Sequence, residues 1–145
     1  MKKKYHKVGQ VCNNALVTVY LRNFITEWKE ASLAECGNRC IITGSKDNLQ
    51  IHHLSKRYKD LVIEAHENLK IENKIVTARY TLIELALLKD ELLKLHFKYG
   101  LGVAINGDLH EQYHKENKDN INAESFREFY KKIKNIFTDM CVNEN

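Results

Sequence analysis

The sequence predicts a single, mostly helical domain of the α+β class. The chain of 145 residues is long enough to bury a core, and it has no proline and only six glycines, so few turns are imposed on it. Apolar residues recur at helical spacing over four long stretches. Two short stretches rich in β-branched residues flank a polar turn, which indicates a small amount of sheet.

The first third of the chain is predicted to contain a basic arm, a helix and a β-hairpin. Residues 1–14 are polar and basic and form the arm, and residues 15–35 carry apolar side chains at helical spacing. The hairpin is expected within 36–54, where 39–43 and 49–53 have strand composition and a turn-forming segment lies between them.

A helical insertion is predicted over residues 57–98. It divides into a helix at 57–73 and a strongly apolar helix at 75–98. The apolar stripe of the second helix is interpreted as core or as an oligomer contact, which leaves a homodimer open.

Two further helices are predicted towards the C-terminus. Glycines punctuate the start of the segment 101–116, and Asp108 is expected to cap the helix that follows. Asn122 is expected to cap the last helix, at 123–138, whose aromatic residues recur on one side.

The charge is distributed unevenly along the chain. Residues 1–59 hold 11 Lys/Arg against 4 Asp/Glu, a net charge of +7, whereas residues 60–121 hold 8 against 11, a net charge of −3. This asymmetry favours contact between the first part of the chain and a polyanion such as DNA or RNA. The arm supplies several lysines for such contacts: Lys2, Lys3, Lys4 and Lys7.

The sequence predicts a cytoplasmic protein. No segment reaches the ~18 apolar residues of a membrane span, and the basic start is not followed by the apolar run and cleavage site of a signal peptide. In that compartment cysteines are expected to be reduced thiols. There are four of them: Cys12, Cys36, Cys40 and Cys141.

Two pairs of histidines are the most informative residues of the chain. His110 and His114 are four positions apart, so a helix would place both imidazoles on one face. His52 and His53 are adjacent, so a strand would point their rings to opposite faces. One ring of that pair could then join His110 and His114 around a metal ion, while the other accepts a proton from water. This division of work suits hydrolysis of a phosphodiester.

The order of several short motifs resembles the HNH endonucleases, in particular the small enzymes of phages and mobile introns. The resemblance covers roughly residues 20–137 and rests on motifs whose order is more specific than any one of them. They are Trp28-Lys29, Arg39-Cys-Ile-Ile-Thr-Gly44, Leu49-Gln-Ile-His-His-Leu54, Leu101-Gly-Val103, Leu109-His-x-x-Tyr-His114, and Asn120-x-Asn122 before Phe126 and Phe129.

The resemblance implies a ββα-metal (His-Me finger) core and cleavage of double-stranded DNA in a bacterial or phage-infected cell, as in homing endonucleases. His53 matches the general base of the family. The metal ligands are matched by His52, His110 and His114. One divalent cation is implied, either Mg²⁺, Mn²⁺, Zn²⁺ or Ni²⁺, and the products would carry a 5′-phosphate and a 3′-hydroxyl.

Basic residues close to the histidines could contact the DNA backbone. Lys56 and Arg57 follow the proposed base and could hold a phosphate, and Arg39 could contribute as well. Solvated surface charge is the competing interpretation of these side chains.

The chain departs from the family at two places. Leu101 stands where the family has an asparagine that braces the loop opposite the base, and Asn106 lies too close to the helix to replace it. Another group must therefore brace this loop. Many members also bind structural zinc through paired cysteines, but the spacing of Cys36 and Cys40 is atypical, so zinc is not expected there.

Two alternative functions remain open. His110-Glu-Gln-Tyr-His114 matches the zinc protease motif, with Glu111 activating water. That interpretation lacks a third ligand further along the chain and leaves His52 and His53 unexplained. The other alternative is a DNA-binding module that has kept the fold and lost catalysis, which the Leu101 departure motivates.

Overall fold

The computed structural model describes residues 15–143, with side chains to residue 138. Helices dominate this part of the chain, together with one two-stranded antiparallel sheet, so the prediction of a mostly helical α+β protein is confirmed. The elements are α1 (Val17–Leu21), α2 (Thr26–Glu35), β1 (Leu49–His52), α3 (Tyr58–Leu69), α4 (Leu82–Lys98), β2 (Val103–Asn106), α5 (Gly107–Asn117) and α6 (Ala123–Asn143). No helix in the described range has the length and apolar character needed to cross a bilayer.

The chain divides into two compact units, where a single domain was predicted. Among the described residues, the first unit comprises 15–26 and 58–98, and the second comprises 27–57 and 99–143. The predicted arm, residues 1–14, lies outside the described residues. The single-domain interpretation stays a prediction.

The first unit is built on the contact between α3 and α4. It contains two histidines for which the sequence suggests no functional role, and both are buried. His66 contacts the Val62 carbonyl and the Tyr80 hydroxyl through its two ring nitrogens, each at 2.7 Å. The Nδ1 atom of His96 lies 2.7 Å from the Leu92 carbonyl. Both are core histidines that form hydrogen bonds within the first unit.

The second unit contains the sheet and the helices that follow it. β1 pairs with β2 in antiparallel register, from Leu49 opposite Asn106 to His52 opposite Val103. α5 begins directly after β2 and contacts both strands. A buried apolar cluster lies between this sheet, α5 and α6. It consists of Cys40, Ile42, Ile105, Tyr113, Phe126 and Phe129.

The predicted hairpin within 36–54 is wrong. Residues 41–43 form a turn, closed by a hydrogen bond from the Gly44 N–H to the Cys40 carbonyl at 2.8 Å. The true partner of β1 is β2, which the sequence did not indicate. The β-branched residues of the turn are there because they pack: Ile42 is buried in the core of the unit. β-branched residues are frequent in strands because they fit partly buried surfaces, so the same composition can occur in a turn that packs on a core.

Several helix boundaries also differ from the prediction. The expected helix at 15–35 is interrupted at residues 22–25, so α1 and α2 are separate. α3 and α4 are shorter than the predicted helices, and a 3₁₀ turn lies between them. α2 does end before Gly37, as its composition suggests, because this glycine adopts a φ of 64°.

One predicted cap is correct and one is wrong. The Asn122 side chain accepts a hydrogen bond from the Ser125 N–H at 2.8 Å, so Asn122 caps α6 as expected. The cap of α5 is Asn106, whose side chain accepts from the Asp108 N–H at 2.9 Å. Asp108, the predicted cap, lies in the first turn, where its negative charge interacts favourably with the positive end of the helix dipole.

Candidate metal centre

Two adjoining elements of the second unit bring three imidazoles together. His52 is the last residue of β1 and its side chain is buried. His110 and His114 lie one turn apart on α5, which contacts β1. The four-residue spacing predicted a shared helical face for these two residues, and the structure has it.

The ring nitrogens of the three histidines converge. The Nε2 atom of His110 lies 3.3 Å from Nδ1 of His52 and 3.1 Å from Nε2 of His114. One ligand atom from each of the three residues lies within 4.8 Å of the other two. Nitrogen ligands about 2.0–2.1 Å from a zinc ion are themselves separated by roughly 3.0–3.4 Å at neighbouring positions. The three histidines therefore form a group that could hold a metal ion.

The His52 ring is fixed by aromatic neighbours. It stacks on Phe126, with ring centroids 4.5 Å apart and planes 20° apart, and it meets Tyr113 edge-on at 5.1 Å. Its Nε2 atom is buried and has no hydrogen-bond partner within the described structure. A buried polar atom in that state is costly.

Burial and mutual repulsion keep these histidines neutral. Burial, with smaller contributions from charge repulsion by His110 and His114, lowers the pKa of His52 to about 3. Burial, followed by the effect of His114, lowers the pKa of His110 to about 4. The pKa of His114 is also lowered, first by burial and then by the positive charge of Arg57. Neutral imidazole is the form that binds metal ions, so the group is ready to bind at neutral pH.

Gln50 orients one of the three rings. The Nδ1 atom of His110 donates a hydrogen bond to the Gln50 Oε1 atom at 2.8 Å, because an amide oxygen can only accept. The proton on Nδ1 leaves the lone pair of His110 Nε2 directed at the other two histidines. Metal-binding histidines are commonly held by such a second hydrogen bond.

His53 lies apart from the three converging rings. Its imidazole stacks on the indole of Trp28, with centroids 4.5 Å apart and planes 25° apart. His52 and His53 therefore contact different neighbours, as alternation along a strand predicts. His53 is half-buried, so its ring is within reach of solvent.

The predicted DNA-contacting residues are only partly within the described structure. Lys56 is half-buried, with its Nζ atom 4.7 Å from the centre of the Tyr99 ring. Arg57 is close enough to His114 to lower its pKa. Arg39 is exposed and donates to the Gly44 carbonyl at 3.2 Å. The lysines at positions 2, 3, 4 and 7 lie outside the described residues.

Cys36 and Cys40 have separate surroundings. The Cys36 sulfur accepts a hydrogen bond from the Ala104 N–H at 3.4 Å, and the Cys40 sulfur accepts from the Thr43 N–H at 3.5 Å. Both are free thiols, and among the described residues the only candidate metal-binding group is the histidine group.

Glu111, the residue that a zinc protease would need, lies on the exposed surface of α5. Its carboxylate is exposed and pairs with Lys115 at 3.0 Å, one turn along α5. An exposed pair of this kind is an ordinary feature of a helix surface.

Two contributors to the site were missed by sequence reasoning. Gln50 could have been found, since it lies two residues before His52 and thus on the same face of β1. Trp28 was noted only as part of a motif, and its contact with His53 joins segments that are distant in the chain.

Three comparisons, with models of protein families, with curated proteins and with solved structures, found no match for the chain.

Proposed function

We propose that the protein is an HNH-type, metal-dependent endonuclease that hydrolyses phosphodiester bonds of double-stranded DNA. In this proposal β1, β2 and α5 form the ββα-metal core, since two antiparallel strands are followed directly by a helix. The observation that supports it is the convergence of His52, His110 and His114 while the adjacent His53 contacts other residues.

The residues have distinct roles in the proposed reaction. His52, His110 and His114 would hold one divalent cation, which would supply positive charge to the phosphate and the leaving oxygen. A ring nitrogen of His53 accepts a proton from water as the water oxygen bonds to phosphorus. The bond from phosphorus to the 3′ oxygen breaks, and that oxygen takes a proton from solvent. The products carry a 5′-phosphate and a 3′-hydroxyl.

The charge of the chain suits a DNA substrate. The net charge of +7 on residues 1–59 belongs to the stretch that carries His52 and His53. Lys56 and Arg57 follow them directly and belong to the same compact unit as the three metal-binding candidates. Cations at these positions would draw a DNA backbone towards the site.

Plasmid cleavage tests the proposal. The full chain is incubated with supercoiled plasmid and Mg²⁺, Mn²⁺, Zn²⁺ or Ni²⁺ in turn, and DNA binding is measured in parallel. We expect nicked or linear DNA from the unmodified protein, and loss of cutting with retained DNA binding in His53→Ala. Glu111→Gln is the matched control, because Glu111 lies on the same helix as two ligands but pairs with Lys115.

Other outcomes would overturn the proposal in recognisable ways. DNA binding without cutting in any of these metals would favour the catalytically inert module. Loss of a hydrolytic activity in Glu111→Gln, with His53→Ala unaffected, would favour a protease. Cutting that persists in His53→Ala would remove His53 from the reaction.

A further inference from the structure

We infer that Trp28 is a positioning residue, which holds the His53 ring and, together with Ser32, braces the segment before β2 that lacks an asparagine at position 101. This inference rests on the proposed nuclease function. It gives α2, which carries Trp28 and Ser32, a role in positioning the proposed base, and neither the histidine group nor the charge of the chain suggests such a role.

The indole of Trp28 has two partners with different chemistry. Its ring face stacks on the His53 imidazole, with centroids 4.5 Å apart. Its Nε1–H donates a hydrogen bond to the Gly100 carbonyl at 3.1 Å. The side chain is only 2% exposed, so it has little freedom to move. One rigid group thus connects the proposed base to the segment that leads into β2.

Ser32 makes a second connection from the next turn of α2. Its hydroxyl donates to the Trp28 carbonyl at 2.8 Å and accepts from the Gly102 N–H at 3.0 Å. Ser32 is fully buried, so these hydrogen bonds are shielded from competition with water. Trp28 and Ser32 together fix Gly100 and Gly102, the residues on either side of Leu101.

Gly102 shows how closely these parts fit. A Cβ atom on this residue would lie 2.8 Å from Cη2 of Trp28 and 2.6 Å from the His52 carbonyl oxygen. The backbone of Gly102 is therefore packed between the indole and the end of the strand that carries the histidines. A smaller side chain at position 28 would leave space here and remove the stacking partner of His53.

Trp28→Leu, Trp28→Phe and Ser32→Ala test the inference in the full chain. Leucine removes the stacking, phenylalanine keeps a ring but loses the Nε1–H donor, and alanine removes the bond to Gly102. We expect Trp28→Leu to lower kcat by about 10- to 100-fold with KM within about twofold, since misplacing a reacting group has effects of this size. Trp28→Phe should recover much of that loss, and Ser32→Ala should lower kcat less than Trp28→Leu does.

Two measurements separate positioning from general damage. The affinity for Ni²⁺, measured by calorimetry, should stay within about threefold in all three variants, since each of them leaves His52, His110 and His114 unchanged. In proton NMR the His53 ring signals should move downfield in Trp28→Leu, because the indole no longer shields them. Glu30→Gln, an exposed change on α2, is the control and should alter none of these readouts.

The outcomes distinguish this inference from the proposed function. If the unmodified protein does not cut DNA, the proposed function fails, and with it the kinetic role of Trp28. If the unmodified protein cuts DNA and Trp28→Leu has the same kcat, only the inference is overturned. Should Trp28→Leu not fold, an unchanged kcat in Ser32→Ala overturns it instead. A fall in Ni²⁺ affinity parallel to the fall in kcat would also overturn it, because Trp28 would then support the fold as a whole.

Discussion

The Nδ1 atom of His110 lies 2.8 Å from the Oε1 atom of Gln50, although sixty positions separate the two residues. This contact connects α5 to β1 beside the histidine group. It also fixes the tautomer of His110, so that the lone pair of Nε2 is available to a metal ion. Gln50 thus contributes to metal binding without being a ligand.

Gln50→Ala should weaken metal binding by about 10- to 100-fold, which is the usual effect of removing such a hydrogen bond. The loss arises because the His110 ring can then rotate and exchange tautomers. Calorimetry with Zn²⁺ or Ni²⁺ measures it. Gln112→Ala is the matched control, since Gln112 is an exposed glutamine of α5 that bonds to Glu116. Equal affinities in the two variants would contradict the role given to Gln50.

Acid should destabilise the metal-free protein from about pH 6.5 downward. In the unfolded chain each histidine has an ordinary pKa near 6.5, whereas in the folded protein the pKa is about 3 for His52 and about 4 for His110. Between pH 6.5 and 4 the unfolded state therefore binds more protons, and the free energy of unfolding falls as the pH falls. The slope contributed by each such histidine approaches about 1.4 kcal/mol per pH unit.

Urea unfolding at pH 7.5, 6.0 and 5.0 without metal measures this dependence. The variant His110→Asn removes one of the two groups, so its free energy of unfolding should vary less with pH. Above pH 7 these histidines are neutral in both states and should contribute no pH dependence. The same slope in both proteins would contradict the lowered pKa of His110.

Asn106→Ala should lower the free energy of unfolding by about 1 kcal/mol, because it removes the cap of α5. Asp108→Ala should have a smaller effect, since Asp108 contributes only its charge near the helix start. Chemical denaturation of both variants measures the difference. A larger effect at position 108 would restore the cap that the sequence suggested.

Gly102→Ala should destabilise the protein by about 1–3 kcal/mol, the usual range for overpacking. The added Cβ would lie 2.5 Å from Cγ2 of Ile51 and 2.6 Å from the His52 carbonyl oxygen. Relief of this crowding requires movement of backbone that carries a metal-binding candidate. Denaturation by urea gives the change in stability, and an unaltered midpoint would mean that the segment before β2 adapts freely.

The sequence was sufficient for the features that depend on local spacing. His110 and His114 could be placed on one helical face because four residues make about one turn. His52 and His53 could be given different neighbours because strand side chains alternate. Asn122 could be recognised as a cap because its side chain reaches only the next turn.

Features that depend on distant segments could not be predicted in this way. The strand composition of residues 39–43 suggested a nearby hairpin. Instead β1 pairs with β2, although α3 and α4 lie between these two strands in the sequence. Nothing local marks Val103–Asn106 as the partner of β1. The stacking of Trp28 on His53 likewise depends on how α2 meets the end of β1.

The separation of β1 and β2 along the chain has a consequence for folding kinetics. α3 and α4 can form from contacts within the intervening segment, but the two strands meet only after a long loop closes, at an entropic cost that grows with loop length. His52 and His110 approach one another in that same late step. Capture of a metal ion during refolding would thus report the long-range event alone, and its rate should lag behind the appearance of helical circular dichroism.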